Sequence, residues 1–409
     1  ASPYCRALSL SLPINSTLEI KGAVVQHYFD NLLPDNEKIR ARLARRFKTK
    51  SQETFDLLQA IGRDCVGAVQ LLPVDETPRG WNTIDCVAQT ESQIARRLQA
   101  IPAEVGLGSQ DDDELFRLSI AGAQEKTAFT RYKNMWCAPN GSTPSTHIFK
   151  LALGLIGGSK RVNASDSVQN EWLCAQIFRA LKFDVANTSM HTFEGQTVLV
   201  LERFDRQWMD NNSWIARLPQ EDFCQAFGLA PDQKYEQLGG PSMRQCLQLL
   251  QGSQDRGDRQ FFLLTQLVFQ LLAATDGHAK NFSIFLQRAN SYQMTPLYDI
   301  LSMWPYFGKG DNQFNHRKAS LAMAVRSKNT HYQMHTIQAR HWHQLALQNG
   351  GPKVWQAMCA VVNSVEAALH SVEMSLPADF PERTWSAISH GMLSQAKRFQ
   401  NECMSISAS

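Results

Sequence analysis

Asp276-Gly277-His278-Ala279-Lys280-Asn281, followed downstream by Pro296-Leu297-Tyr298-Asp299, is the stretch on which the reading of this chain turns. It comes directly after an apolar run, residues 261–274, interrupted only by Thr265, Gln266 and Gln270, which reads as a buried helix. Asp and Asn favour turns in their own right, so either residue alone is an ordinary helix end. The order is more informative. An Asp, an Asn five residues on and a second Asp further along are the parts phosphoryl transfer uses. There the first carboxylate faces an acceptor hydroxyl, and the amide and second carboxylate hold Mg²⁺ on the phosphates of ATP.

The reading therefore depends on whether the remaining parts lie upstream in the same order. Thr146-His147-Ile148-Phe149-Lys150 is a short strand-like run that ends in a lysine. A lysine on a rigid strand positions a point charge on the α/β-phosphates at low entropic cost; the alternative is a lysine guarding a sheet edge. Before it, Ser119-Ile120-Ala121-Gly122-Ala123-Gln124-Glu125-Lys126-Thr127 is a small-residue loop. The backbone N–H groups of Ala121, Gly122, Ala123 and Gln124 are its means of reaching phosphate. With one glycine it is neither a dinucleotide fingerprint nor a Walker A loop. Between the lysine and the Asp276 stretch, residues 198–201 run apolar into Glu202-Arg203-Phe204-Asp205-Arg206. A two-lobed kinase has its adenine-facing hinge at this place in the order; a buried strand leaving the core explains the apolar half equally well.

In these stretches the chain resembles the HipA family, serine/threonine kinase toxins of bacterial type II toxin–antitoxin pairs. The likeness runs through residues 119–126, 146–150, 202–206, 219–224, 275–281 and 296–299, and also through 7–13, 29–34 and 61–68. The resemblance implies a two-lobed, protein-kinase-like architecture: an α/β N-terminal part with a small nucleotide lobe, an all-α C-terminal domain, and ATP in the cleft between lobes. It implies that Asp276 is the catalytic base or hydroxyl-orienting group, with His278 and Lys280 in the catalytic loop beside it. Asn281 and Asp299 become the Mg²⁺ ligands, and Lys150 the phosphate ligand. Glu202, Phe204, Gln220 and Tyr298 line the adenine pocket, the first two partly through backbone. Ser119 becomes the autophosphorylation site, where an added dianion repels ATP phosphates and silences the kinase.

The same resemblance implies a HipB-like helix-turn-helix antitoxin as partner, operator DNA reached through that complex, and an aminoacyl-tRNA synthetase, the glutamyl enzyme first, as protein substrate. Two other classes stay open on the residues alone. One is a non-catalytic co-repressor; the other is a small-molecule or lipid kinase. Members of the family carry several tens of residues ahead of the Leu-Ser-Leu-Ser-Leu-Pro segment, where this sequence has Ala1 to Ala7. The first strands are therefore expected to be absent from this form or supplied by another chain. Residues 308–325 also depart from the family pattern, and Arg326 and Lys328 beyond them are candidates to face DNA.

Composition agrees without deciding. A chain of 409 residues, 43% hydrophobic and 19% charged, is an ordinary globular protein with room for more than one core. Nine scattered cysteines without a close pair read as free thiols in a reducing bacterial cytoplasm, not as a disulfide framework. No run approaches a membrane span, and a formal charge of +3 does not predict nucleic-acid binding. Seven basic residues from Lys38 to Lys50 crowd a helix expected over 36–47 and the residues just after it, with Ile39, Leu43 and Phe47 as its buried face. Expected domains are a mixed α/β subdomain at 1–108, opening on an alternating strand at 8–12, a nucleotide lobe at 109–217, and a helical C-terminal domain at 218–409. The nucleotide lobe is expected to hold strands at 115–120, 146–150 and 198–201 around a helix at 168–181, whose Glu171 is a candidate partner for Lys150. In the last domain helices are expected at 260–274, 354–369 and 381–398.

Overall fold

The structure, a computed structural model, describes residues 5–14, 19–101 and 124–407. The chain divides into two compact units, each assembled from separated segments. The first comprises Ala1–Ala152, Ala186–Gln233 and Ser283–Thr295; the second comprises Leu153–Val185, Lys234–Phe282 and Pro296–Ser409.

In the first unit, helices α1 (Ala23–Asp30), α2 (Glu37–Arg46) and α3 (Thr54–Ile61) close over Tyr28, Leu32, Leu33, Leu57, Leu58 and Ile61. Asn36 caps α2 by accepting the Lys38 N–H, and Ile39 is its buried residue, as the spacing predicts. Part of its basic character is neutralised within the unit. Arg40 pairs with Asp30 at 2.7 Å, and Arg42 pairs with Glu125. The alternating segment at 8–12 is not a strand. Its backbone turns, with Ser9 and Leu12 forming an isolated bridge. The Ser11 hydroxyl donates to the Gln225 carbonyl at 2.6 Å and lies 2.8 Å from the Ser9 hydroxyl, itself 3.3 Å from the same carbonyl, so local side-chain bonding prevails over the period-two pattern.

The main sheet is antiparallel and six-stranded: β1 (Cys86–Ala88), β2 (Lys126–Tyr132), β3 (Met135–Pro139), β4 (His147–Lys150), β7 (Thr188–Phe193) and β8 (Gln196–Glu202), in the order β1-β3-β2-β4-β8-β7. Helix α4 (Glu91–Ala100), opened by a Thr90/Gln93 capping box, covers one face. Ile94 and Leu98 from the helix pack there with Phe129, Phe149, Val198 and Val200 from the strands. The unit also holds the hairpin β9 (Arg206–Met209) and β10 (Trp214–Arg217). A small sheet joins β11 (Gln220–Asp222), β12 (Ser283–Leu286) and β13 (Tyr292–Met294), and α6 (Phe223–Phe227) follows β11.

The second unit contains a short hairpin, β5 (Gly154–Ile156) and β6 (Val162–Ala164), and then α5 (Ser167–Ala180). Its remaining helices are α7 (Met243–Leu249), α8 (Asp258–Leu272), α9 (Ala339–Gln348), α10 (Pro352–Glu373) and α11 (Glu382–Ser407). Residues 308–325, where the family pattern lapses, lead into a hairpin of β14 (Ser320–Arg326) and β15 (Thr330–Gln333). Helix α5 belongs to this unit and not to the strands on either side of it. Its Asn170 exchanges hydrogen bonds with Ser302 at 2.8 and 2.9 Å, and its Phe178 meets Phe269 of α8 edge-on at 5.8 Å. Glu171 and Lys150 thus fall in different units. Among the described residues no helix is long and apolar enough to cross a membrane.

Candidate active site

The stretch at 276–281 is shaped by the helix before it. Helix α8 is buried on nearly every side and stops where Ala273 takes a left-handed conformation, φ 52°. The Ala273 N–H returns to the Gln270 carbonyl at 3.2 Å and the Ala274 N–H to the Phe269 carbonyl at 2.8 Å, closing the helix end. The chain then folds back over the helix, and Gly277 lies against the Phe269 ring. A Cβ at residue 277 would come within 2.3 Å of a ring carbon, so close approach and not φ requires glycine there.

Four further sets of bonds fix the loop. The His278 N–H donates to the Asp276 carbonyl at 2.8 Å, and the Asn281 N–H to the His278 carbonyl at 2.9 Å. The Ala279 N–H reaches the Lys234 carbonyl at 3.1 Å. The Asn281 side-chain amide donates to the carbonyls of both Asp276, at 3.0 Å, and Asp299, at 3.3 Å. The Tyr298 hydroxyl donates to the Lys280 carbonyl at 2.8 Å. Asp276, His278, Lys280, Asn281, Tyr298 and Asp299, predicted from two separate motifs, are therefore one braced cluster within the second unit.

The exposure of these groups differs. The Asp276 carboxylate is 63% exposed, whereas His278, Lys280 and Asn281 are buried. Oδ2 of Asp276 lies 4.0 Å from Nε2 of His278. Because Asn281 uses its amide hydrogens on two carbonyls, Oδ1 is the atom it has left to offer a cation. Asp299 contributes a carboxylate. An amide oxygen and a carboxylate are hard donors of the kind Mg²⁺ takes, and few are needed where phosphates and water complete the shell. Asp299 also has a left-handed backbone, φ 59°. For a residue with a Cβ this costs about 1 kcal/mol, and such strain is retained where the surrounding bonds over-determine it.

In the first unit, Lys150 ends β4, an interior strand between β2 and β8, so the edge-guard alternative fails. Phe149 faces the α4 core, hence Lys150 faces the other side of the sheet, where it is 5% exposed. Directly opposite it on β2, on the same face, is Lys126. Lys126 carried no signal in the sequence because its strand partner is not legible there. Gln124 donates through its side-chain amide to the Leu151 carbonyl.

Glu202 lies at the other end of the β4–β8 ladder, paired with His147, while Lys150 pairs with Leu199. Three positions at about 3.3 Å each separate the two ends by ~10 Å. Glu202 is exposed and accepts from Asn187 at 3.0 Å. Phe204 is half-buried, edge-on to Phe285 at 5.8 Å. Gln220 on β11 is 9% exposed, and its Oε1 is buried without a hydrogen-bond partner among the described residues. A buried amide in that condition fits a ligand that donates to it.

The charged half of the 202–206 stretch has a different use from the one its position in the order implies. Arg203, Asp205 and Arg206 are directed into the unit, where they meet Asp64 and Arg217. Arg203 donates to Asp205 and Asp64, and Arg206 to Asp64 and Asp205, over 2.8–3.3 Å. Gly67, at φ +75°, gives its N–H to Asp205 and its carbonyl to Arg206. A Cβ at residue 67 would stand 2.8 Å from the Gln220 carbonyl. Two separate stretches that carry the family resemblance, 61–68 and 202–206, are thus halves of one buried network. Arg326, a candidate to face DNA, has its guanidinium on Glu236; Lys328 is exposed at the β14–β15 turn. Ser119, Ala121, Gly122, Ala123 and the strand expected at 115–120 lie outside the described residues.

An α/β unit with a lysine on an interior strand, and a helical unit with a braced Asp-Asn-Asp cluster, give the chain a kinase-like fold. Residues 118–372 match the HipA-like C-terminal domain family and residues 2–72 the HipA N-terminal domain family; the chain belongs to the HipA family. The fold superposes on a chain of the Shewanella oneidensis MR-1 HipA, HipB and operator DNA complex with a TM-score of 0.76, at 22% identity, over 97% of this chain and 89% of that one. Among curated relatives, Y4mE of Sinorhizobium fredii, which carries a provisional kinase name, is 34% identical over 284 residues, covering 68% of this chain and 64% of its own length. The serine/threonine-protein kinase toxin HipA of Shewanella oneidensis is 26% identical over 310 residues, covering 72% of this chain and 67% of its own. The chain thus spans about two thirds of the length of these relatives.

Proposed function

We propose that this protein is a serine/threonine protein kinase that uses ATP and Mg²⁺ and serves as the toxin of a toxin–antitoxin pair. The observation that carries the reading is the braced cluster of Asp276, Asn281 and Asp299, in which the Asn281 amide ties together the backbones of the two aspartates. In this reading Asp276 accepts a hydrogen bond from the substrate hydroxyl and takes its proton as that oxygen bonds to the γ-phosphorus and ADP leaves. Asn281 and Asp299 hold Mg²⁺, which when bound neutralises charge developing on the phosphates. Lys150, with Lys126 opposite, receives the phosphates. Glu202, Phe204, Gln220 and Tyr298 serve adenine recognition, and the unpartnered Oε1 of Gln220 supports its part. The ~10 Å between the Lys150 and Glu202 ends of the ladder suits an extended nucleotide. His278 and Lys280 stabilise the transferring phosphoryl group. Ala121, Gly122, Ala123 and Gln124 cradle phosphate through backbone N–H groups, and phosphorylation of Ser119 is the off-switch.

The proposed partners are a HipB-like antitoxin and, through it, operator DNA on which the pair represses its own operon; the named complex of the structural neighbour supports this. The proposed substrate is an aminoacyl-tRNA synthetase, the glutamyl enzyme first, phosphorylated in the bacterial cytoplasm with arrest of growth. Transfer of labelled γ-phosphate to purified glutamyl-tRNA synthetase, wild type against Asp276→Asn, tests the reading. Label on the synthetase that disappears in the variant supports reaction and substrate together. Label only on the kinase keeps the reaction and removes that substrate. No transfer from unphosphorylated wild type removes the kinase reading.

A further inference from the structure

We infer that Tyr235 is a positioning residue that holds the Asp276 carboxylate in its working orientation and determines which of its oxygens meets the substrate hydroxyl. The inference rests on the kinase reading for its consequence, but its observations are independent of that reading. The Asp276 carboxylate is exposed and sits on a short loop, and the loop's own backbone bonds do not set its side-chain torsions. Catalysis by proton acceptance needs those torsions fixed.

Tyr235 supplies the constraint. Its hydroxyl donates to Oδ1 of Asp276, and its ring stands edge-on to the His278 ring, with centroids 5.0 Å apart at 86°. With Oδ1 engaged, Oδ2 is the oxygen available to an incoming hydroxyl, and it is also the one facing Nε2 of His278 at 4.0 Å. Tyr235 is itself held from both sides. The carbonyl of the preceding residue, Lys234, accepts the Ala279 N–H at 3.1 Å. The carboxylate of the following residue, Glu236, is 4% exposed, accepts the Ala324 N–H at 2.7 Å and receives Arg326 Nε at 3.1 Å. The three residues 234–236 thus connect β14 to the catalytic loop, with the tyrosine hydroxyl at the end of that connection.

Tyr235→Phe keeps the ring contact with His278 and removes only the hydroxyl. The expected result is a fall in kcat of about ten- to a hundredfold, with KM for ATP within twofold of wild type and an unchanged melting temperature. A structural contribution alone would lower the melting temperature or move both constants. A kcat within twofold of wild type overturns the inference and leaves the kinase reading standing. An arm without activity uses tyrosine labelled with ¹³C at the ring carbon bearing the hydroxyl, the Tyr235 signal being assigned by its loss in Tyr235→Phe. Asp276→Asn is expected to shift that signal; no shift overturns the inference whether or not the protein transfers phosphate.

Discussion

Asp64→Asn removes one of two carboxylates facing three guanidinium groups, those of Arg203, Arg206 and Arg217. Oδ2 of Asp64 accepts the Ser145 N–H at 3.0 Å, the Ser145 hydroxyl at 2.5 Å and Arg203 at 3.3 Å; Oδ1 accepts Arg206 at 3.0 Å and Arg217 at 3.4 Å. Asparagine turns one of these acceptors into a donor facing donors, and leaves Arg203 and Arg206, nearly solvent-free, with Asp205 as their remaining carboxylate in the network. Breaking a buried pair in this way costs about 3–5 kcal/mol. Burial alone would raise the Asp64 carboxyl, but the three arginines and the Ser145 hydroxyl outweigh it and hold it well below the usual carboxylate range. A carboxyl depressed in the folded state contributes stability above its unfolded value near 4, and that stability is lost as pH falls toward the folded value. Wild type should therefore weaken progressively below about pH 4, and the Asn variant, lacking that group, should show a shallower decline. Amide hydrogen exchange of β4 and β8 is the suitable assay, since it reads the first unit alone. Arg203 N–H donates to the Thr146 carbonyl at 2.8 Å, tying the network to the start of β4. Protection there should fall by about two to nearly four powers of ten at pH 7. A loss under about tenfold would refute the reasoning, because the network would then behave as a solvent-screened surface cluster.

Gly277→Ala forces the Phe269 ring and the catalytic loop apart, and phosphoryl transfer should fall about 100-fold; Phe269→Leu in the same chain should restore part of it, measured as kcat. Glu221 is buried and its carboxyl is pushed up to about 7, burial outweighing the Leu10 N–H at 2.9 Å and the Ser9 hydroxyl. A folded value above the unfolded one means stability declines as pH rises from about 4.5 to 7, so Glu221→Gln should flatten that decline and gain on the order of 1–3 kcal/mol at pH 8 in urea unfolding. An unchanged slope between pH 5 and 7 would assign the titration to another group.

The Asp276–Asp299 half of the candidate site was legible as a cluster because its residues are local in sequence. Six residues of one loop and four of a second supply its titratable groups, and the apolar run before them announces the helix whose closed end turns the chain back. What the sequence could not carry were the distant bonds that hold those groups. Tyr235 lies 41 residues before Asp276, in a stretch with no periodicity to mark it, yet it reaches the carboxylate directly. Lys126 becomes informative only through the register that sets it opposite Lys150. The alternating serines and leucines at 8–12 misled for a related reason. Period two predicts a strand only when a neighbouring strand takes up the backbone bonds, and here serine hydroxyls and the Gln225 carbonyl engage the segment first.

The stretch at 202–206 separates two kinds of inference that a resemblance combines. Its place in the order of motifs points to nucleotide; Glu202 is exposed at the end of β8 and Phe204 is half-buried. The three charged residues between and beyond them are buried with Asp64. One five-residue motif therefore combines proposed ligand positions with scaffold, across the turn that joins β8 to β9. Substitutions at Arg203 or Arg206 that abolish activity would consequently say little about nucleotide contact. Their effect should appear in hydrogen exchange of β4 before it appears in affinity for ATP, whereas substitution of Phe204 should show the reverse.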